Sequence, residues 1–539
     1  MSLNKFEQKA LVFKCIDKIR FLNAVDEKIL IETLDEIKAI KDADFDFISR
    51  LLIKEINPDY QKAGTALFYM ADYLSPESTK DYVLNELNSS RVSDNKKIFL
   101  INMLSANGVK IPPEELDIYL NNPDEAINFE TKKFLDGAKV DPDQQIDFLD
   151  FYFSSSELER KELLNSITND FSGDRLINVL SPLLLTVDDI QTISYCLDIT
   201  ERTQSLMCVK PLMYLSLYKG SSKIAKRAAK ILRKMEMKGI YDSDKLYEFY
   251  RNLMSDFDEP VCKVTFPDGN SNFSMVISRK TKQGAYYVLF AALNITLGPF
   301  SCFGFSSLSK SEYETVLKRF FGDYGQIVLP PSDAKRILFD LTKKRISLNK
   351  IIPYEFYCWE RLTDDIKPSE LSLGELLIEG LKERKIDDKE KKLIYNSPFV
   401  QNWFYRYSKN NSSFSCLIDK ISYLNENNVA KMDEYVADAA KDDSIVSNLK
   451  LRILYLSYFL KTGGYNDLAD IFYSLFQDEA SMIEFASNVL KRSIYEYMLV
   501  LRLPKGASKS DIFKSVKKSD KPVFNPKNFI HYIEKNWVE

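Results

Sequence analysis

One histidine, His531, stands in 539 residues. Ser-His and Cys-His catalysis each need an imidazole held in a rigid site, and an HExxH zinc motif needs two. Those chemistries are set aside, and His531 reads as a surface residue. The seven cysteines, Cys15, Cys196, Cys208, Cys262, Cys302, Cys358 and Cys416, are scattered singly, without the CxxC spacing of a zinc or redox site. No GxxxxGK[ST] or GxGxxG phosphate cradle occurs, and 17 glycines are few for a nucleotide-binding α/β fold. No cofactor is therefore expected and no metal site is assigned. Carboxylates remain. Asp42, Asp44 and Asp46 could hold a divalent cation through oxygen, but acids at a helix start also complement its dipole. The plainer reading is given to them and to Asp188-Asp189, Asp364-Asp365, Asp387-Asp388 and Asp442-Asp443, each read as opening a helix. An enzyme with an unrecognised carboxylate or metal site is the second alternative function.

Two constellations suit binding better. At about 100° per residue, Lys223, Lys226, Arg227, Lys230, Arg233, Lys234 and Lys238 fall on one arc, with Ile224, Ala228, Ile231, Leu232 and Met235 opposite. One face packs and the other presents cations to an acidic partner, RNA or a lipid surface. The plainer reading is a solvated face neutralised by neighbouring acids. The second constellation is aromatic. Phe399, Trp403 and Tyr407 share a face of an expected helix over 398–407, beside Arg406. Trp, Tyr and Arg dominate binding hot spots, although such a stripe also serves a core. The candidate binding residues are Lys223, Lys226, Arg227, Lys230, Arg233, Lys234, Trp403, Arg406 and Tyr407.

The elements that would position them follow from pattern. Hydrophobic residues make up 45% and charged residues 28%, a globular balance. A net charge of -4, from 74 basic and 78 acidic groups, argues against a chain that coats nucleic acid but leaves local patches open. Asn57-Pro58, Ser75-Pro76, Asn122-Pro123 and Asp141-Pro142 repeat one device. Proline in the first helical turn forfeits no hydrogen bond, and the preceding polar side chain can cap the free amides.

The stretch 57–67, NPDYQKAGTAL, and the stretch 221–235, SSKIAKRAAKILRKM, resemble the helices of HEAT/armadillo-like α-solenoid repeats. Ala225, Ala228 and Ala229 would let paired helices approach closely. The spacing of the breaks wanders between about 30 and 45 residues, against about 40–47 for regular arrays of this class. Gln61 and Lys62 stand where such repeats often carry an arginine. The resemblance implies stacked helix pairs and a non-enzymatic scaffold or adaptor that binds protein partners on its surface.

From Val261 the period changes. VCKVTF, FSMVISR, AYYVLFAAL and FSCFGF alternate as strands do, separated by a Pro267-Asp268-Gly269-Asn270 turn and a Lys-Gln-Gly turn. A meander of three or four strands with one helix is expected. Its apolar face, Phe273, Met275, Ile277, Tyr287, Leu289 and Ala291, should dock on the helices. The fold class expected is mainly α, an irregular α-solenoid of HEAT-like helix pairs interrupted by a small antiparallel β-meander. The divisions are an N-terminal array over 1–258, the meander and one helix over 259–330, a C-terminal helical domain over 331–503 and a lysine-rich segment over 504–539. Residues 283–309 carry no charge, but Gly298-Pro299 would stop a helix there, so no membrane span is expected. The charged N-terminus lacks a signal-peptide pattern and the cysteines are unpatterned, so a cytoplasmic location is expected. The alternative function is binding of nucleic acid or an acidic surface through the basic helix 223–238 and the basic C-terminal segment.

Overall fold

The computed structural model describes residues 5–22, 27–109, 111–112, 115–171, 173–218, 222–322, 326–407, 413–424 and 428–502, the side chains of residues 27 and 499–502 excepted. His531 and the lysine-rich segment 504–539 lie outside them. The chain is mainly helical, with one five-stranded antiparallel sheet. The proline device works at three of its four places: after Asn57-Pro58 the helix begins only at Gln61, and neither Ser75 nor Asn122 makes a side-chain cap. Helices Pro76–Leu87, Pro123–Gly137 and Pro142–Ser154 each carry the proline in the first turn. Asp141 caps the last of these, accepting from the Asp143 amide at 3.1 Å. Among the acidic pairs and clusters, Asp44, Asp189, Asp387 and Asp442 cap helices in the same way. Asp364-Asp365 does not. It follows the helix Tyr354–Trp359 and the 3-10 turn Glu360–Thr363, so it closes a helical segment.

The sheet holds β1 (Val261–Val264), β2 (Asn272–Lys280), β3 (Tyr286–Asn294), β4 (Gly298–Leu308) and β5 (Ile327–Leu329), in the order β4-β3-β2-β1-β5. The meander is the expected one, with Met275 opposite Ala291 and Ile277 opposite Leu289. β5 is an addition: Lys263 pairs with Val328. A three-residue strand followed at once by Pro330 is too short to show a period, so only its partner reveals it. Phe273, Met275, Ile277, Leu289 and Ala291 are buried in the large core, with Tyr287 partly buried against it. The other face is also covered. Val276, Val288 and Phe290 pack with Phe321 from the helix Lys310–Phe321.

That large core runs from Leu135 to Phe459, so helices on both sides of the sheet in sequence share it. Separate cores lie at residues 12–104 and 394–498. The C-terminal helices include Pro331–Ser347, Asp443–Thr462, Asn466–Gln477 and Glu479–Arg502. The helix expected over 398–407 does not form. Turns occupy 398–402 and irregular backbone follows. Among the described residues, no helix is long and apolar enough to cross a membrane.

Candidate functional site

The basic helix, Ser222–Met237, buries Ile224, Ala228, Ile231, Leu232 and Met235. Its opposite face divides into two groups. Arg227 pairs with Asp198 and Glu201, Lys234 lies 2.8 Å from Glu201, and Lys238 donates to Gln204 at 3.1 Å. Asp198 and Glu201 lie on the helix Ile190–Thr203, with Gln204 just after it, and the two acids neutralise one edge of the stripe. Lys223, Lys226, Lys230 and Arg233 are exposed and have no ion-pair partner among the described residues.

The aromatic residues do not share a helix face. Trp403 is fully buried in the C-terminal core. Its indole N–H donates to the Pro267 carbonyl at 2.9 Å. The Arg452 guanidinium lies 5.0 Å from its ring and donates to the Gly269 carbonyl at 2.7 Å. An indole whose N–H finds a carbonyl can be buried without loss, so Trp403 clamps the loop between β1 and β2 to the C-terminal helices. Tyr407 is half-buried, its hydroxyl donating to Asp419 at 3.2 Å, and Arg406 is exposed.

The densest charge lies elsewhere, in residues 360–365. Glu360, Arg361 and Asp364 are buried. Lys210, from the helix Val209–Ser216, lies 2.8 Å from Asp364 Oδ1 and 3.0 Å from Glu360 Oε2. Lys335, from the helix Pro331–Ser347, reaches Thr363 at 3.0 Å, Asp364 Oδ1 at 3.3 Å and Glu360 at 3.5 Å. Arg361 donates to the Ala138 carbonyl at 2.7 Å. Arg279 of β2 grips Asp365 with both terminal nitrogens, at 2.7 and 3.0 Å. One short segment therefore ties together the N-terminal helices, the sheet and the helix that follows it. Burial alone would raise the Asp364 carboxyl, but Lys210 and Lys335 outweigh it and hold it below the usual range. Burial would likewise lower the Lys210 ammonium, and Asp364 with Glu360 raises it instead. Asp364 and Lys210 therefore both stay charged at neutral pH.

This segment was the part of the site missed in the sequence. Asp364-Asp365 looks like the capping pairs, and Glu360 sits inside an aromatic run. The signal was there: charges embedded in YEFYCWERLT, a stretch with no polar face, must meet opposite charges in the interior. The identity of those partners was not legible, since Lys210 lies 150 residues upstream of Glu360.

A second polar region is a cleft of about 500 Å³ where Asp141, Asp143 and Asp147 meet Tyr287, Ser306 and Ser307 of the sheet. Ser306 donates to Asp143. Burial, with Asp143 beside it, raises the Asp141 carboxyl to about 6. A carboxyl whose folded value is raised binds its proton more tightly in the folded state. Its stabilising effect is present at low pH and is lost as pH rises from about 4 to about 6. Asp141→Asn keeps the cap and removes the charge. The variant should be more stable than the native chain by about 1–3 kcal/mol at pH 7.5 and equal to it at pH 4. Urea unfolding at both pH values checks this, and a difference that ignores pH would refute the electrostatic cause. Among the described residues, no group of three or more His, Cys, Asp or Glu is arranged to hold a metal ion.

No family model matches the chain, and neither a curated protein nor a solved structure matches it.

Proposed function

We propose that the chain is a non-catalytic scaffold that holds protein partners on a helical surface, and that an acidic partner docks on the helix Ser222–Met237. The observation that carries this reading is the set Lys223, Lys226, Lys230 and Arg233, exposed and without an ion-pair partner among the described residues, on a helix whose other face is packed. Four like charges within three turns repel one another, and an acidic surface relieves that repulsion. The stacking of helices supports the HEAT-like α-solenoid reading of the N-terminal region. There, several helices contact the next one or two in sequence: Phe45–Lys54 meets Gln61–Leu74 and Pro76–Leu87, and Val209–Ser216 meets Ser222–Met237, although Pro142–Ser154 packs on the distant helix Tyr354–Trp359. Contacts between sequence neighbours are how a repeat array buries faces that no single unit can bury alone.

A labelled poly-glutamate peptide and a random-sequence RNA of equal charge are the probes. The peptide should bind, lose affinity steeply as salt rises, and bind at least about tenfold more weakly to the Lys226→Glu/Lys230→Glu variant. Binding that survives the reversal would refute the role of this helix. RNA binding tighter than peptide binding, with the same salt slope and the same loss, would replace the protein partner by a nucleic acid.

A further inference from the structure

The geometry points to a binding site for a small hydroxylated aromatic molecule, of the phenol class, in the pocket above the Lys210–Asp364 ion pair. The pocket has a volume of about 120 Å³. Its walls are Tyr214, Tyr247, Tyr250, Met213 and Phe339, and Lys210, Lys335 and Asp364 form its polar end. An apolar cavity of about 150 Å³ takes up benzene, so this volume suits one six-membered ring and little more.

The polar end selects the substituent. Asp364 is 7% exposed, and both lysines reach it through the same oxygen, Oδ1. Oδ2 has no hydrogen-bond partner among the described residues and is not sealed from solvent, so it is open to a donor. Lys210 carries three N–H groups and has two carboxylate neighbours, so one donor remains. The pocket therefore offers one acceptor and one donor side by side. A hydroxyl both donates and accepts and satisfies the two at once. An ammonium group would satisfy Asp364 but face two lysine charges. Its attraction to the rings is also pre-empted, because Lys343 lies 4.7 Å from the centre of the Phe339 ring and Lys367 lies 5.2 Å from that of Tyr247. A carboxylate would satisfy Lys210 but confront Asp364 Oδ2. Burial raises the hydroxyls of Tyr214 and Tyr250 well above the ordinary tyrosine value, so the walls stay neutral.

The test is calorimetric titration of the full chain with four probes each built on one benzene ring: phenol, toluene, benzylammonium and benzoate. Phenol should bind saturably at one site, at least about tenfold tighter than toluene, because a site with a paired donor and acceptor rejects the analogue that leaves them unsatisfied. Both ions should bind more weakly than phenol. Met213 is 38% exposed at the rim, so Met213→Trp can close the pocket without entering the core. That variant should keep the native unfolding profile and lose phenol. No saturable phenol binding, toluene binding as tight as phenol, an ion binding more tightly, or phenol retained by folded Met213→Trp would each overturn the proposal.

Discussion

Replacing Lys335 by methionine should destabilise the chain by about 3–5 kcal/mol, the usual consequence of removing one partner from a buried ion cluster. Methionine matches the length of the stem, so packing is little changed and the effect is electrostatic. Glu360 and Asp364 would keep only Lys210 between them, with Glu360 at 1% exposure and unable to reach water. The charge-balanced double variant, Lys335→Met/Asp364→Asn, leaves Lys210 facing Glu360 and should recover at least half of the loss. The pH range follows from the shifts. The contribution of Asp364, whose carboxyl is lowered, is present above its ordinary value of 3.8 and fades as pH falls through its folded value. That of Lys210, whose ammonium is raised, is present below 10.5 and fades as pH rises through its folded value. Between those limits the effect of Lys335→Met should be flat. Chemical unfolding of the three proteins decides the matter. A single variant within 1 kcal/mol of native, or a double variant worse than the single, would show that the quartet does not act as a unit.

Gly304→Ala should be nearly as damaging, by about 3 kcal/mol. The added methyl would land inside the indole of Trp359, which is 1% exposed and held in the large core. Overpacking of a filled site typically costs about 1–3 kcal/mol and sometimes more. Here neither side can yield easily, because β4 is hydrogen-bonded to β3 along its length and Trp359 ends a helix packed on that strand. The double variant Gly304→Ala/Trp359→Phe makes room, so it should be less destabilised than the sum of the two single changes. Gly284 is the control. It turns the tip of the β2–β3 hairpin at φ +96° with nothing within 4 Å of an added methyl, so alanine there should cost only about 1–2 kcal/mol of backbone strain. If Gly304→Ala costs no more than Gly284→Ala, close approach of strand and helix is not what glycine provides at 304.

The two sites explain why a helical chain carries a sheet at its middle. β4 lies on Trp359, Arg279 of β2 holds Asp365, and the β1–β2 loop is clamped by Trp403 and Arg452. Gly269 in that loop shows the same economy as Gly304. It carries no positive φ, and Ser271 takes φ 64° instead. A side chain at 269 would strike the backbone of Asn402 and Phe404.

Local order set by the chain itself was legible. Proline in a first turn after Asn, Ser or Asp acts within a few residues, so the starts at Pro76, Pro123 and Pro142 could be read directly. Alternation in 272–294 identified the hairpin and its inward face, because strand geometry puts every second residue on one side whatever lies beyond. The two-sided basic helix was likewise a matter of angle per residue. What the chain could not announce was pairing at a distance. The Trp403 stretch has helical spacing but spends its hydrogen bonds on a loop 136 residues earlier. The acids at 364–365 resemble a cap until lysines from two other helices and an arginine from a strand converge on them. Whether a charge is solvated or buried with a partner depends on the dielectric around it. That surrounding exists only after the helices and the sheet have closed over the same core.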